Sequence, residues 1–152
     1  MPRFELSLDL NCSPEVAFDF LLRPKNIALI THESMGLKFV DPPEVLQMGS
    51  RLEFHVVVHG QTQTLVHEII SLDEPSQFTE QQVKGPFGRF VHEHVMEATD
   101  TGSVRLVDRI EFEPPSGLLG FILTEKRIRS SLEEGFAHRH KELGQLLQQV
   151  DA

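Results

Sequence analysis

Residues 89–113 read RFVHEHVMEATDTGSVRLVDRIEFE, two alternating apolar and polar segments on either side of a short polar turn. Alternation with a period of two is typical of β-strands, whose successive side chains point to opposite faces of the sheet. The turn Asp100-Thr101-Gly102 suits a three-residue hairpin loop with glycine in the left-handed conformation. Thr99 would then pair with Ser103, so that the numbers of paired residues sum to 202.

This register places His94 opposite Asp108 on a face that is otherwise apolar. The inward rows of the two strands would be Phe90, His92, His94 and Met96, and Val104, Leu106, Asp108, Ile110 and Phe112. Ionisable side chains are seldom buried without a partner. Two interpretations therefore stay open: an internal network whose members satisfy one another, or the polar end of a functional site.

A second hairpin is predicted around Gly60-Gln61, which is typical of a two-residue turn with glycine first. The numbers of paired residues would sum to 121, which sets Phe54 opposite His67. In this arrangement His67 points inward, whereas His55 and His59 point outward.

The remaining elements complete one α+β domain over residues 1–152. An alternating strand at 3–10 precedes two short helices, and further alternating segments bring the sheet to about seven strands. Residues 118–150 predict a long amphipathic helix, with an apolar stripe that includes Phe121, Leu132, Phe136, His140 and Val150. We expect this helix to cover the apolar face of a curved antiparallel sheet and to leave a concave space near the open end.

Composition excludes several classes of function. The net charge of −9 disfavours nucleic acid as a partner, because phosphate binding requires a basic surface. Cys12 is the single cysteine, so the sequence has neither an internal disulfide nor a cysteine-based zinc site. No segment has the length and apolar character of a membrane span or a signal peptide, which favours a cytoplasmic location.

Several local strings, in the right order, resemble the START-like or SRPBCC superfamily, whose fold is called helix-grip. They are Gly85-Pro86-Phe87, Phe90-x-His92-x-His94, Asp108-Arg109-Ile110-Glu111-Phe112, Gly117-x-x-Gly120 and Phe136-Ala137-His138-Arg139-His140. The strings are similar to those of a bacterial ligand-binding or polyketide cyclase/dehydrase-like subgroup, and the resemblance of element order covers essentially the whole chain. Phe90, Met96 and His138 depart from that pattern, which usually has Trp, Phe and Tyr there.

The resemblance implies an internal cavity for lipids, sterols, polyketides or other apolar small molecules, and some members of the superfamily catalyse cyclisation or dehydration. In this chain the predicted apolar wall consists of Phe54, Val56, Leu65, Phe90, Met96, Leu106, Ile110, Leu132 and Phe136. The predicted polar end consists of His67, His92, His94 and Asp108, with His140 entering from the helix.

Three functions remain open at this point. The first is binding of a small, mostly apolar molecule, lipid-, isoprenoid- or polyketide-like. The second is a cyclase or dehydratase in which His94 is the general base and Asp108 orients it. The third is a structural or partner-binding module whose cavity is filled by side chains.

No metal and no cofactor is expected. His92 and His94 can chelate zinc as an i, i+2 pair, but His67 lies several positions away in the sheet and its convergence with them does not follow from the sequence. Gly117-x-x-Gly120 lacks the strand-to-helix context of a dinucleotide site. Arg139 lies about 100° from His140 around the helix and is predicted to pair with a carboxylate at the end of the sheet.

Overall fold

A computed structural model describes residues 1–58 and 60–150, with side chains as far as residue 147. The strands are β1 (Arg3–Leu10), β2 (Lys38–Val40), β3 (Arg51–Val58), β4 (Gln61–Asp73), β5 (Gln77–Lys84), β6 (Arg89–Ala98) and β7 (Val104–Glu113). The helices are α1 (Pro14–Leu21), α2 (Pro24–Ile30), α3 (Gly117–Ile122) and α4 (Glu125–Val150), and a 3₁₀ turn lies at Glu33–Met35.

The seven strands form one antiparallel sheet in the order β1-β7-β6-β5-β4-β3-β2. The chain thus places its last strand, β7, beside its first, and α4 packs against this side of the sheet. Two short helices follow the first strand, and α1 begins where Ser13 accepts a hydrogen bond from the Val16 backbone N–H. The predicted α+β helix-grip architecture is confirmed.

The register of the β6–β7 hairpin is confirmed. Its pairs sum to 202, and His94 lies opposite Asp108. The Thr99 backbone N–H donates to the Ser103 carbonyl at 3.1 Å, and Gly102 has a φ of 81°. Glycine adopts this left-handed conformation without steric cost, so the three-residue loop fixes which residues of both strands face inward.

The predicted register of the β3–β4 hairpin is wrong by two residues. The pairs sum to 119, so that Val58 pairs with Gln61 and Phe54 faces Leu65 instead of His67. Gly60, with a φ of 74°, directly precedes the paired Gln61, so it takes the second loop position rather than the first. A shift of two residues preserves the alternation of faces, and His67 remains buried. His59 lies outside the described residues.

The C-terminal helix is shorter than predicted at its N-terminal end. The helix α3 ends before Leu123, and α4 starts anew where the Thr124 hydroxyl accepts a hydrogen bond from the Arg127 backbone N–H at 3.3 Å. Phe121 therefore leaves the predicted apolar stripe and is 81% exposed. The side chain of Val150 lies outside the described residues.

Buried apolar side chains form two clusters on the inner face of the sheet. The first joins α1 and the C-terminal half of α4 to β5–β7 through Phe18, Phe78, Met96, Leu106 and Leu143. The second lies under the start of α4 and contains Phe4, Ile110, Phe112, Ile128 and Phe136. No helix of the described residues is long and apolar enough to cross a membrane.

We expect Leu143→Ala to lower the free energy of unfolding by about 2–5 kcal/mol, because Leu143 is fully buried in the first cluster. The matched control is Leu118→Ala in α3, where the leucine is 85% exposed and its truncation should change stability by less than about 0.5 kcal/mol. Urea denaturation followed by circular dichroism measures both. Equal losses would contradict this packing.

Candidate functional site

The inner face of the sheet and α4 enclose a cavity of about 650 Å³, a volume within the range of roughly 300–1,000 Å³ typical of small-molecule sites. Most of its wall is apolar. The cavity meets solvent at a rim whose exposed residues include His32, Ser34, Met35, Ser131 and Glu134.

A chain of imidazoles and carboxylates runs along the wall and into the protein behind it. We call this set the histidine–carboxylate network; its members are His67, Glu80, His92, His94, Asp108 and His140. They come from four adjacent strands, β4 to β7, and from α4. The imidazoles and Asp108 are buried, and the Glu80 side chain is 17% exposed.

Glu80 is the first centre of the network. His67 donates from Nδ1 to Oε2 at 2.8 Å, and His94 donates from Nε2 to Oε1 at 2.7 Å. His92 approaches the same Oε1 with its Nδ1 at 3.4 Å. Both oxygens of this carboxylate are therefore occupied by imidazole donors.

Asp108 is the second centre. His92 donates from Nε2 to Oδ1 at 2.7 Å, and His140 donates from Nε2 to Oδ2 at 2.6 Å. His92 thus bridges the two carboxylates. Because His140 belongs to α4, its hydrogen bond to Asp108 also fixes the helix against β7.

The prediction that Asp108 orients His94 is corrected by these distances. His94 Nδ1 lies 3.7 Å from Asp108 Oδ1, which is beyond hydrogen-bond length, although the two residues are paired across the strands as predicted. Two neighbours hold His94 instead. Glu80 accepts its Nε2 proton, and Phe78 stacks on its ring at a centroid distance of 4.1 Å. The physical reason is that β5, which carries both neighbours, lies on the other side of β6 from β7.

The network holds its carboxylates in the charged form. Burial alone would raise the pKa of Asp108, but hydrogen bonds from His140 and His92 hold it well below its usual range. Burial would likewise raise the pKa of Glu80, and hydrogen bonds from three histidines lower it. Two buried negative charges therefore lie close together, neutralised by proton donors.

The pKa values of the neighbouring histidines His92 and His94 are shifted in opposite directions. Burial would lower the pKa of His92, but its hydrogen bonds with Asp108 and Glu80 raise it above its usual value. Burial, together with the positive charge of His92, lowers the pKa of His94 to about 4. His92 is thus suited to be an imidazolium, and His94 a neutral base.

Two buried ring nitrogens of the network, His67 Nε2 and His94 Nδ1, have no hydrogen-bond partner among the described residues. In each ring the other nitrogen donates to Glu80, so in the neutral form of the imidazole the unpartnered nitrogen carries a lone pair. Both rings line the cavity. The arrangement therefore offers two acceptors to a donor inside the cavity, and His94 can accept a proton there.

The predicted cavity residues divide into two groups. Those that line the cavity are Phe54, Val56, Leu65, His67, Phe90, His92, His94, Leu132 and Phe136. Those that do not line it are Met96, Leu106, Asp108, Ile110 and His140.

The second group is a correction to the predicted cavity. Met96 and Leu106 are covered by the first apolar cluster and Ile110 by the second, because helices pack directly on that part of β6 and β7. Asp108 and His140 lie behind the wall, where they bond each other and Asp108 also bonds His92.

Sequence reasoning missed Glu80 and misplaced Arg139. Phe78 is buried, and a period of two places Glu80 on the same face, so this carboxylate follows once one inward residue of β5 is known. The sequence predicts that Arg139 pairs with a carboxylate at the end of the sheet. It lines the cavity instead, with Cζ 4.7 Å from the centre of the Phe136 ring.

Glu80, His92 and His94 are a group of described residues whose donor atoms, all within 4.8 Å of one another, could hold a metal ion. The set suits zinc, and the bond from His92 to Asp108 is the second-sphere contact that metal-bound histidines usually make. An ion would have to displace the proton shared by Glu80 and His94. The absence of a tightly bound metal stays a prediction; elemental analysis that finds about one zinc per chain, lost in His92→Ala, would contradict it.

Comparison with solved structures shows the fold. Protein CV1439 from Chromobacterium violaceum superimposes with a TM-score of 0.73 at 14% identity, covering 96% of both chains. TTHA0849 from Thermus thermophilus superimposes with a TM-score of 0.72 at 16% identity, covering 93% of this chain and 97% of that one. The major latex-like protein 151 from Panax ginseng superimposes with a TM-score of 0.71 at 14% identity, covering 96% of this chain and 97% of that one. No protein-family model and no curated protein matches the sequence.

We expect Asp108→Ala to lower the free energy of unfolding by about 3–5 kcal/mol, because it leaves two buried imidazole donors without an acceptor. Asp9→Ala is the control. It removes an aspartate of the neighbouring strand β1 whose bond to Arg105 lies on the exposed face, and it should change stability little. Urea denaturation at neutral pH compares the two variants. Similar losses would show that the network is not a closed, buried one.

The low pKa of His94 predicts a loss of stability on acidification. The unfolded chain gains a proton at this ring near pH 6.5, whereas the folded protein resists it until about pH 4, so the contribution of His94 falls as the pH drops through that interval. The His94 Hε1 resonance, followed by NMR with EDTA in every buffer, should titrate well below the ordinary histidine value. A midpoint at 6.5 or above would contradict the arrangement.

Proposed function

We propose that the protein binds a small, largely apolar molecule inside its cavity. The observation that carries this proposal is the cavity itself, about 650 Å³ of space in a domain of 152 residues, walled mainly by apolar side chains. Burial of apolar ligand surface against such a wall supplies roughly 25 cal/mol per Å². Lipid-, isoprenoid- and polyketide-like molecules are the classes that suit it.

The polar end of the cavity supplies orientation. His67 Nε2 and His94 Nδ1 are acceptors without a partner, and a buried acceptor of this kind favours a ligand that brings a hydroxyl or another donor. Phe54 and Phe90 flank His67 with their rings at 4.9 and 5.5 Å, which limits the space around that acceptor. The proposed ligand is therefore apolar over most of its length and polar at one end.

A second candidate function is acid–base catalysis of the cyclase or dehydratase kind. It is favoured by one observation: the neutral His94 ring lines the cavity, with its Nδ1 lone pair unpartnered and its other nitrogen held by Glu80. In this proposal His94 is the base and Glu80 replaces Asp108 as the residue that orients it. A cavity of this volume argues against the third interpretation, a module filled by its own side chains.

The proposal can be tested by a substitution that places a larger side chain in the cavity wall. Wild-type protein should bind the neutral fluorescent reporter N-phenyl-1-naphthylamine, and Leu132→Trp should weaken binding at least tenfold because the indole occupies the space. Leu118→Trp, in an exposed position of α3 outside the wall, is the matched control and should bind like the wild type. Since the chain has no Trp or Tyr, reporter emission in the wild type has little protein background. Absence of binding to the wild type, or equal binding to both variants, would refute the proposal.

A further inference from the structure

The cavity wall contains a cation that the described residues leave without a hydrogen-bond acceptor. Arg139 of α4 lines the cavity and is half-buried, with its guanidinium over the ring of Phe136. None of the described residues accepts a hydrogen bond from it or forms an ion pair with it. Arg129 belongs to the same helix and lies over Phe112 of β7, but it differs in that it donates to the Arg3 carbonyl at 2.7 Å.

This arrangement is costly unless an acceptor is supplied from elsewhere. A guanidinium carries five N–H donors in one plane, and an aromatic ring below it satisfies none of them as a hydrogen bond. Burial lowers the pKa of Arg139, while the charges of Asp108 and Glu80 favour its charged form. A partly desolvated cation with donors that no described residue accepts is stabilised when an anion reaches it.

The nearby carboxylates are already engaged. Glu80 accepts hydrogen bonds from His67 and His94, and Asp108 accepts from His92 and His140. Both act on Arg139 through their charge without bonding it. The guanidinium donors of Arg139 are therefore left for a ligand in the cavity or for water at the rim.

Resting on the proposed function, we propose that the ligand is an amphiphilic monoanion, an apolar body that carries one carboxylate in addition to the donor that His67 and His94 favour, and that Arg139 binds the carboxylate. The planar guanidinium matches a carboxylate with two parallel hydrogen bonds. A phosphate monoester carries about −1.5 to −2 charges at neutral pH, more than one guanidinium balances beside two buried carboxylates. A single negative charge is the better match to this wall.

The test compares ligands that share one alkyl chain and differ in the head group. Dodecanoate and dodecyl phosphate, each below its critical micelle concentration, and 1-dodecanol, below its solubility limit, are titrated at pH 7 against protein loaded with N-phenyl-1-naphthylamine. For Arg139→Gln we expect at least a tenfold loss of affinity for dodecanoate and less than a twofold change for dodecanol and the reporter. Arg129→Gln, which also removes an α4 guanidinium from above a phenylalanine ring, that of Phe112 in β7, should leave the affinities for dodecanoate, dodecanol and the reporter unchanged.

A second measurement needs no variant that could fail to fold. In wild-type protein loaded with dodecanoate, NMR should show contacts between the Arg139 side-chain protons and the methylene group next to the carboxylate. Contacts of Arg139 with the methyl end alone would overturn the proposal.

The results distinguish failure of the carboxylate assignment from failure of the proposed binding function. If neither reporter nor dodecanol binds, the proposed function fails and the inference with it. If both bind, and Arg139→Gln leaves the affinity for dodecanoate unchanged or weakens dodecanol equally, the carboxylate assignment is overturned while the function stands. Tighter binding of dodecyl phosphate than of dodecanoate would overturn the choice of head group.

Discussion

Two carboxylates inside the protein set the condition that the other residues of the site must meet. Glu80 and Asp108 are ionised, and an isolated buried charge of this kind would be strongly destabilising. Four histidines, carried by β4, β6 and α4, supply the donors that make their burial possible. One of these donors, His140, belongs to α4, so the helix must lie where His140 can donate to Asp108. The placement of α4 and the cavity beneath it therefore depend on one set of proton donors.

The network also explains why the polar groups of the cavity differ in what they can do. His92 lies between both carboxylates and is stabilised as a cation, which makes its neighbour His94 harder to protonate. His67 and His94, which donate to Glu80, each have one nitrogen left as an unpartnered acceptor. Arg139 has donors without an acceptor among the residues described. The cavity thus presents both acceptors and donors on a mainly apolar wall, which is the basis for recognising a molecule by its polar groups.

Features that are set by residues close together in the chain can be predicted from the sequence, whereas contacts between distant segments cannot. The β6–β7 register follows from a three-residue loop, and with it the pairing of His94 with Asp108. The same reasoning gives a register two residues off in the β3–β4 hairpin, because Gly60 can serve at either loop position. The hydrogen-bond partner of His94 does not follow, since it comes from β5, whose register no short turn reveals. The prediction for Arg139 is wrong because helical periodicity gives the direction of a side chain around the helix axis. It does not show whether that direction meets the edge of the sheet or the cavity.

The position of the rim bears on the rate at which a molecule enters and leaves. The exposed residues His32 and Met35 lie in the short segment before β2, across from α4, whereas the buried hydrogen bonds lie deeper along β4–β7. The contacts that join that segment to the helix include His32 against His138, with ring centres 4.8 Å apart, and Met35 near Gly135. Separating it breaks none of the bonds to Glu80 or Asp108. Exchange through the rim is therefore a local opening, and we expect its rate to vary independently of global unfolding.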